Sequence, residues 1–244
     1  MHRFKIDKTQ IIDARAPLSL DETAHALKVL RLKDGETVQA LDGEGGMWAA
    51  VLRVSGDKEA FVELTEEISN AEAPVDITVY MGIPKGDKFE FLCQKLTELG
   101  VRKLVPVRME RSVAKIEEKE KDKKLVRFRK IAQEAQKQCG RGMEMEISDP
   151  LNGARLPDAI KAHDLTLLLW EEADGYRIRD AYREYPDARD IACIVGPEGG
   201  ISEKEAEKLM EAGAKCVTLG PRILRAETAA VTGAAVMMSL WGDL

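Results

Sequence analysis

A chain of 244 residues, 33% charged and 44% hydrophobic, has the apolar content for one large core or two modest ones and the balance of an ordinary globular protein. Its formal net charge of -6 and pI near 5.4 exclude a wholesale basic coat for nucleic acid, and no apolar run reaches membrane-spanning length. The start, Met1-His2-Arg3-Phe4-Lys5, lacks the shape of a signal peptide, so a cytoplasmic protein without membrane association is expected.

The four cysteines, Cys93, Cys139, Cys193 and Cys216, stand far apart without a CxxC pair, which argues against a disulfide framework or a zinc ribbon. With only His2, His25 and His163 as further soft ligands, no structural metal is expected. The net charge hides its distribution: residues 1–73 carry -5, residues 74–149 carry +4 and residues 150–244 carry -5. Residues 102–141 hold 14 basic against 6 acidic side chains, and such local surfaces are what neutralise phosphates. Within them, residues 117–124 alternate in sign and read as a solvated helix face. Arg127, Arg129, Lys130, Lys137 and Arg141 carry little compensating acid.

Residues 1–70 read as mostly β. A short strand covers residues 2–6, and Ser19-Leu20-Asp21-Glu22 is a capping box that starts a helix running to about residue 30. After the turn at Lys33-Asp34-Gly35 come strands over residues 36–41, 47–54 and 60–64. The loops between them, residues 42–46 and Ser55-Gly56-Asp57, have hairpin chemistry, and so many short strands suggest a small barrel. Residues 66–74 are polar, end in proline and form the predicted linker between domains at 1–70 and 74–244.

From residue 75 the pattern alternates. Strands are predicted at 75–81, 103–107, 143–147, 165–170, 191–195 and 216–219, with helices at 86–99, 119–139, 158–162, 202–211 and 226–240. That alternation implies an α/β fold with a mainly parallel sheet and helices on both faces.

Two glycine-proline turns follow neighbouring strands: Gly196-Pro197-Glu198-Gly199-Gly200, and Gly220-Pro221-Arg222-Ile223-Leu224-Arg225-Ala226-Glu227-Thr228. Both are expected at the carboxyl edge of the sheet, where ligands of open α/β sheets bind. The first turn lacks the Lys-Ser or Lys-Thr of a P-loop, and no GxGxxG follows any strand, which disfavours a nucleotide triphosphatase and an ordinary nicotinamide enzyme. Its glycines allow a ligand close to the backbone; the plainer reading is a tight connection. For Arg222 and Arg225 the plainer reading is a salt bridge to Glu198 or Glu227.

Together these turns resemble the signature of the RsmE family, bacterial methyltransferases of the SPOUT superfamily that modify N3 of a uridine in 16S ribosomal RNA. The resemblance extends through Arg3-Phe4, His25 with Val29-Leu30-Arg31, Asp42-Gly43, Lys85-Gly86-Asp87-Lys88, residues 94–100, Glu110-Arg111-Ser112 and residues 134–141. Cys139 departs from the serine more often found there. The resemblance implies an N-terminal PUA-like barrel that binds RNA, and a sheet whose C-terminal end is threaded into a trefoil knot. It implies that S-adenosylmethionine is held by loops containing Leu169 and Glu171; Gly196, Pro197, Gly199 and Gly200; and Leu219, Gly220, Ile223 and Leu224. It further implies a homodimer paired through the knot region and a substrate presented as an assembled small ribosomal subunit.

On that basis Arg225 and Arg222 are the candidates to stabilise charge on a uracil, and Glu198 and Glu227 to orient an arginine or accept the proton. Arg3, Lys5 and Arg31 on the first domain, with Arg111, Arg129, Lys130 and Arg141 on the second, are the candidate RNA contacts. Lys85, Lys95 and Glu98 read equally as RNA contacts or as an ion-paired structural set. Two other classes stay open: a SPOUT enzyme acting on guanosine or ribose in transfer RNA, and a non-catalytic RNA-binding assembly factor.

Overall fold

The computed structural model describes residues 1–56, 59–114 and 116–244, so Asp57 of the predicted hairpin loop lies outside the described residues. The chain forms two compact units, Met1–Glu72 with Gln136–Glu144, and Ala73–Ala135 with Met145–Leu244.

The first unit is a five-stranded sheet of β1 (Arg3–Lys5), β2 (Arg15–Pro17), β3 (Thr37–Leu41), β4 (Met47–Gly56) and β5 (Glu59–Glu67). The order is β1-β3-β4-β5-β2, with β1 parallel to β3 and the other pairs antiparallel. Alternate side chains, among them Phe4, Ala40, Leu52 and Val62, close on one core. β2 escapes a sequence reading because three residues are too few to show alternation; its Pro17 is tolerated at the sheet's end, where a missing N–H breaks no ladder. The predicted helix begins as α1 (Leu20–Ala24) and continues as a π-helical turn over His25–Val29. Ser19 Oγ accepts the Glu22 N–H at 3.2 Å, but the Glu22 carboxylate does not close the box, because it accepts Lys137 Nζ at 2.8 Å instead.

A single cut near residue 72 does not describe this unit. Glu72 accepts the Arg141 guanidinium at 3.0 Å and the Met143 N–H at 2.8 Å, which fastens residues 136–144 to the first unit.

The second unit alternates as expected. It contains β6 (Asp76–Gly82), α2 (Lys88–Glu98), β7 (Lys103–Arg108), most of α3 (Glu118–Cys139), β8 (Glu146–Ile147), β9 (Leu151–Asn152), α4 (Leu156–Ala159) and β10 (Leu165–Leu169). α5 (Ile178–Glu184), β11 (Asp190–Val195), α6 (Glu203–Glu211), β12 (Lys215–Val217) and α7 (Ala226–Trp241) complete it. The parallel strands run β12-β10-β11-β6-β7-β8, and β9 also pairs with β7. Ile77, Val79, Met81, Leu167 and Cys193 face one core with α2, α3, α5 and α7, while Tyr80, Val105, Leu168 and Ile194 face the other with α4 and α6. The near-continuous apolar runs of these strands follow from burial on both sides. The sequence reading missed α5, a two-turn helix whose short apolar stripe is interrupted by charge.

β12 lies outside β10, yet α7 returns to pack on β6 and β11. That return is the path the trefoil expectation requires. Small residues make it sterically feasible: a Cβ at Gly233 would stand 2.7 Å from Leu169 Cδ1 and 3.6 Å from Cys193 Sγ. At the end of β6, a Cβ on Gly82 would meet both N and Cδ of Pro197 at 2.5 Å. Neither atom can swing away, so Gly82→Ala should cost about 1–3 kcal/mol through overpacking, read from the denaturant midpoint of unfolding.

Candidate cofactor cleft

β10, β11 and β12 end side by side, and the turns that leave them enclose a cleft of about 830 Å³. Leu169, Trp170 and Glu171 line it after β10, Gly196, Pro197, Glu198 and Gly200 after β11, and Leu219 through Ala226 after β12. All the predicted cofactor positions meet here except Gly199. That residue faces the other way, where a Cβ would stand 2.9 Å from the Arg111 carbonyl oxygen. Gly200 is required by its backbone, with φ of +72°, and by its closeness to the Glu171 carboxylate.

The lining has unspent donors. Among the described residues, Leu219, Ile223 and Leu224 give no backbone N–H bond and the buried Trp170 Nε1 has no partner. Orphan donors beside apolar Leu169, Val195 and Leu219 suit a ligand with an aromatic heterocycle edged by acceptors. An adenosyl group fits that donor set.

The charged side chains are sorted in a way the sequence did not reveal. Lys88 Nζ stands 3.1 Å from Glu198 Oε1 and 3.3 Å from Glu227 Oε2, the second an ion pair without hydrogen-bond angles. Glu198 Oε1 also accepts the Lys85 N–H at 3.0 Å. Burial pushes the Glu198 carboxyl up, but the Lys85 N–H and the Lys88 ammonium outweigh it and hold the group below its ordinary value. Lys88 is raised, chiefly by its bond to Glu198. Glu198 is therefore a fixed anion and a poor proton acceptor. Glu227 sits in the first turn of α7.

The expected salt bridges from arginine to these glutamates do not form. Arg222 and Arg225 line the cleft, exposed, and among the described residues neither carries an ion pair. Lys88 is the site residue that sequence reasoning missed: it lay inside a quoted motif, but it meets Glu198 across 110 positions of chain, and no local pattern carries that pairing. Lys95 bonds Glu98 at 2.9 Å, whereas Lys85 enters the site through its backbone.

The candidate RNA contacts separate by how far their charge is already used. Arg31 is exposed, in a left-handed conformation with φ of +57°, and Lys130 is exposed on α3; neither has an ion pair among the described residues. Arg111 is exposed beside the first turn, its Nη1 3.4 Å from the Gly199 carbonyl oxygen. Arg3 donates to Gln39 and to the Lys137 and Gln138 carbonyls, Lys5 pairs with Glu144, and Arg129 donates to the Ile147 carbonyl at 3.1 Å. Arg141 is a correction: it is 3% exposed and held by Glu72, so its guanidinium fastens the first unit and cannot meet a phosphate.

Fold and cleft define an α/β protein with, at the carboxyl edge of a parallel sheet, a cleft whose donors suit a nucleoside-type cofactor. Residues 71–238 match the family model described as RNA methyltransferase domain, and residues 19–65 match the RNA methyltransferase PUA domain. The chain belongs to the ribosomal RNA small subunit methyltransferase E family. It is 32% identical to the Bacillus subtilis ribosomal RNA small subunit methyltransferase E over 94% of this chain and 93% of that one. Among solved structures it is similar to a Legionella pneumophila putative methyltransferase in complex with the cofactor SAM, at a TM-score of 0.89 and 31% identity, covering 100% of this chain and 99% of that one. It is also similar to the Neisseria gonorrhoeae ribosomal RNA small subunit methyltransferase E bound to S-adenosyl methionine, at a TM-score of 0.88 and 31% identity, again with 100% and 99% covered.

Proposed function

We propose that the protein methylates N3 of one uridine in 16S ribosomal RNA, using S-adenosylmethionine held in the cleft. The observation that carries the reading is the pair of arginines, Arg222 and Arg225, left without carboxylate partners beside the cofactor turns. When bound, the cofactor supplies an electrophilic methyl group on a sulfonium. The backbone around Gly196, Pro197, Gly200, Leu219, Gly220, Ile223 and Leu224 cradles it, with Leu169 and Glu171 at the far wall. N3 of a uracil carries its proton at neutral pH, and its conjugate base spreads negative charge over the ring oxygens. Arg225, aided by Arg222, stabilises that charge as the N3 proton passes to the solvent at the open cleft. Lys88 keeps Glu198 and Glu227 from neutralising the arginines.

Because N3 is buried in a Watson–Crick pair, the target base enters unpaired or flipped out. Arg31 on the first unit, and Arg111 and Lys130 on the second, are the phosphate contacts favoured by their exposure. The protein works in the cytoplasm on an assembled small subunit, as a homodimer paired along α7. The nearly bare Ile223, 87% exposed, suits packing against a second copy.

Primer extension on 16S RNA from a deletion strain tests the function. Expressing the protein should restore one polymerase stop at a single uridine, since a methyl on N3 blocks base pairing. A stop at a guanosine, or none at all, would point to a different RNA methylation or to a binding factor.

A further inference from the structure

A second cleft of about 630 Å³ lies on the opposite side of the 196–202 turn, where β7, β9 and the start of α6 meet. Arg108, Lys204 and Lys208 line it. All three are exposed, and none of their side chains has an ion pair or hydrogen bond among the described residues. Lys204 and Lys208 stand four residues apart on α6 and so share a face, whereas Glu203, Glu207 and Glu211 of the same helix do not line the cleft.

Two carboxylates also line it, and both are occupied. Glu205 Oε1 accepts the Glu110 N–H at 2.8 Å, and its Oε2 closes the capping box on Ser202. Glu110 Oε2 accepts Ser202 Oγ at 2.8 Å. These bonds tie the 108–112 turn to the 196–202 turn, and Arg111 in the same turn is a further cation, its Nη1 3.4 Å from the Gly199 carbonyl oxygen.

We propose that this second cleft binds the sugar-phosphate backbone of the substrate RNA next to the target nucleotide, with Arg108, Lys204 and Lys208 on the phosphates. The inference rests on the RNA-methylation reading above and adds to it a binding site separate from the cofactor cleft. Its place at the same sheet edge lets one strand pass from phosphates held here to a base delivered at Arg225. The cations supply affinity and register without reading bases.

The test is the full chain with Arg108→Gln, Lys204→Gln and Lys208→Gln combined, measured against deproteinised 16S RNA and against intact small subunits that lack the methyl group. RNA affinity should fall on the order of 10-fold, and the slope of log affinity against log salt should flatten by roughly 2. S-adenosylmethionine affinity by calorimetry and the thermal midpoint should not move, while KM for RNA rises and kcat holds. Restoring the charge with Lys204→Arg and Lys208→Arg should recover the slope. The single Lys204→Gln and Lys208→Gln variants, each at an exposed helix position, provide the same readout if the triple variant folds poorly. An unchanged affinity and slope would overturn the site. Weakened binding to subunits with unchanged binding to naked RNA would also overturn it, by assigning the cleft to a protein partner. If the parent protein binds RNA through this cleft but transfers no methyl group, the functional reading fails while the site stands.

Discussion

Arg225→Ala should lower the methylation rate by about 10²–10³-fold while leaving S-adenosylmethionine affinity and the unfolding midpoint nearly unchanged. The size follows from removing one preorganised charge where a negative transition state develops. The fold is spared because Arg225 is exposed at the start of α7 and has no ion pair among the described residues. Its N-cap role is a backbone one, with no side-chain bond to lose. A second readout separates charge stabilisation from simple positioning. Raising the pH deprotonates N3 without help, so the deficit of Arg225→Ala should shrink at alkaline pH. Single-turnover rates measured across that range check this, and full activity at neutral pH would remove Arg225 from the mechanism.

Lys88→Met should be nearly as damaging through another route, lowering kcat on the order of 10²-fold and weakening the cofactor as well. Without the ammonium, the carboxylates of Glu198 and Glu227 repel each other and become free to pair with Arg222 or Arg225, which takes those arginines out of use. Lys88→Arg should restore part of the activity, since it keeps the charge between the two acids. Calorimetry with S-adenosylmethionine beside steady-state rates distinguishes this from a general loss of fold. The pH dependence carries a sign. Glu198 is depressed in the folded protein, so its contribution to stability is present above the ordinary carboxyl value of 4.5 and is lost as the pH falls through the lower folded value. Lys88 is one cause of that depression, so in Lys88→Met the acid loss of stability from Glu198 should be smaller and should be complete at a higher pH. Thermal midpoints followed through the acid range would show the shift.

Much of the architecture was legible in the chain because its signals are local. The strands at β6, β10 and β11 are short apolar runs, α6 starts at the Ser202 capping box where a helix is predicted, and the two glycine-proline turns fall at the ends of β11 and β12. What was missed is short or discontinuous: β2 and β9 offer too few residues for a period, and α5 too few turns. The segment 136–144 could not be assigned to the first unit from its neighbours in sequence. Its anchor is Glu72, which meets Arg141 69 positions away.

The sequence by itself determined the fold class, the two glycine-proline turns at the sheet edge and which arginines accompany them, because propensity, glycine placement and motif spacing are written along the chain. Only the tertiary structure decided how the charges are spent. Arg141 is consumed by Glu72, Glu198 and Glu227 are consumed by Lys88, and Arg222 and Arg225 are left over at the cleft, as Arg108, Lys204 and Lys208 are at the second. The reason is physical. An ion pair depends on distances of 3–4 Å between side chains and not on their separation in sequence, so the availability of a charge for chemistry is settled after folding has chosen its neighbours.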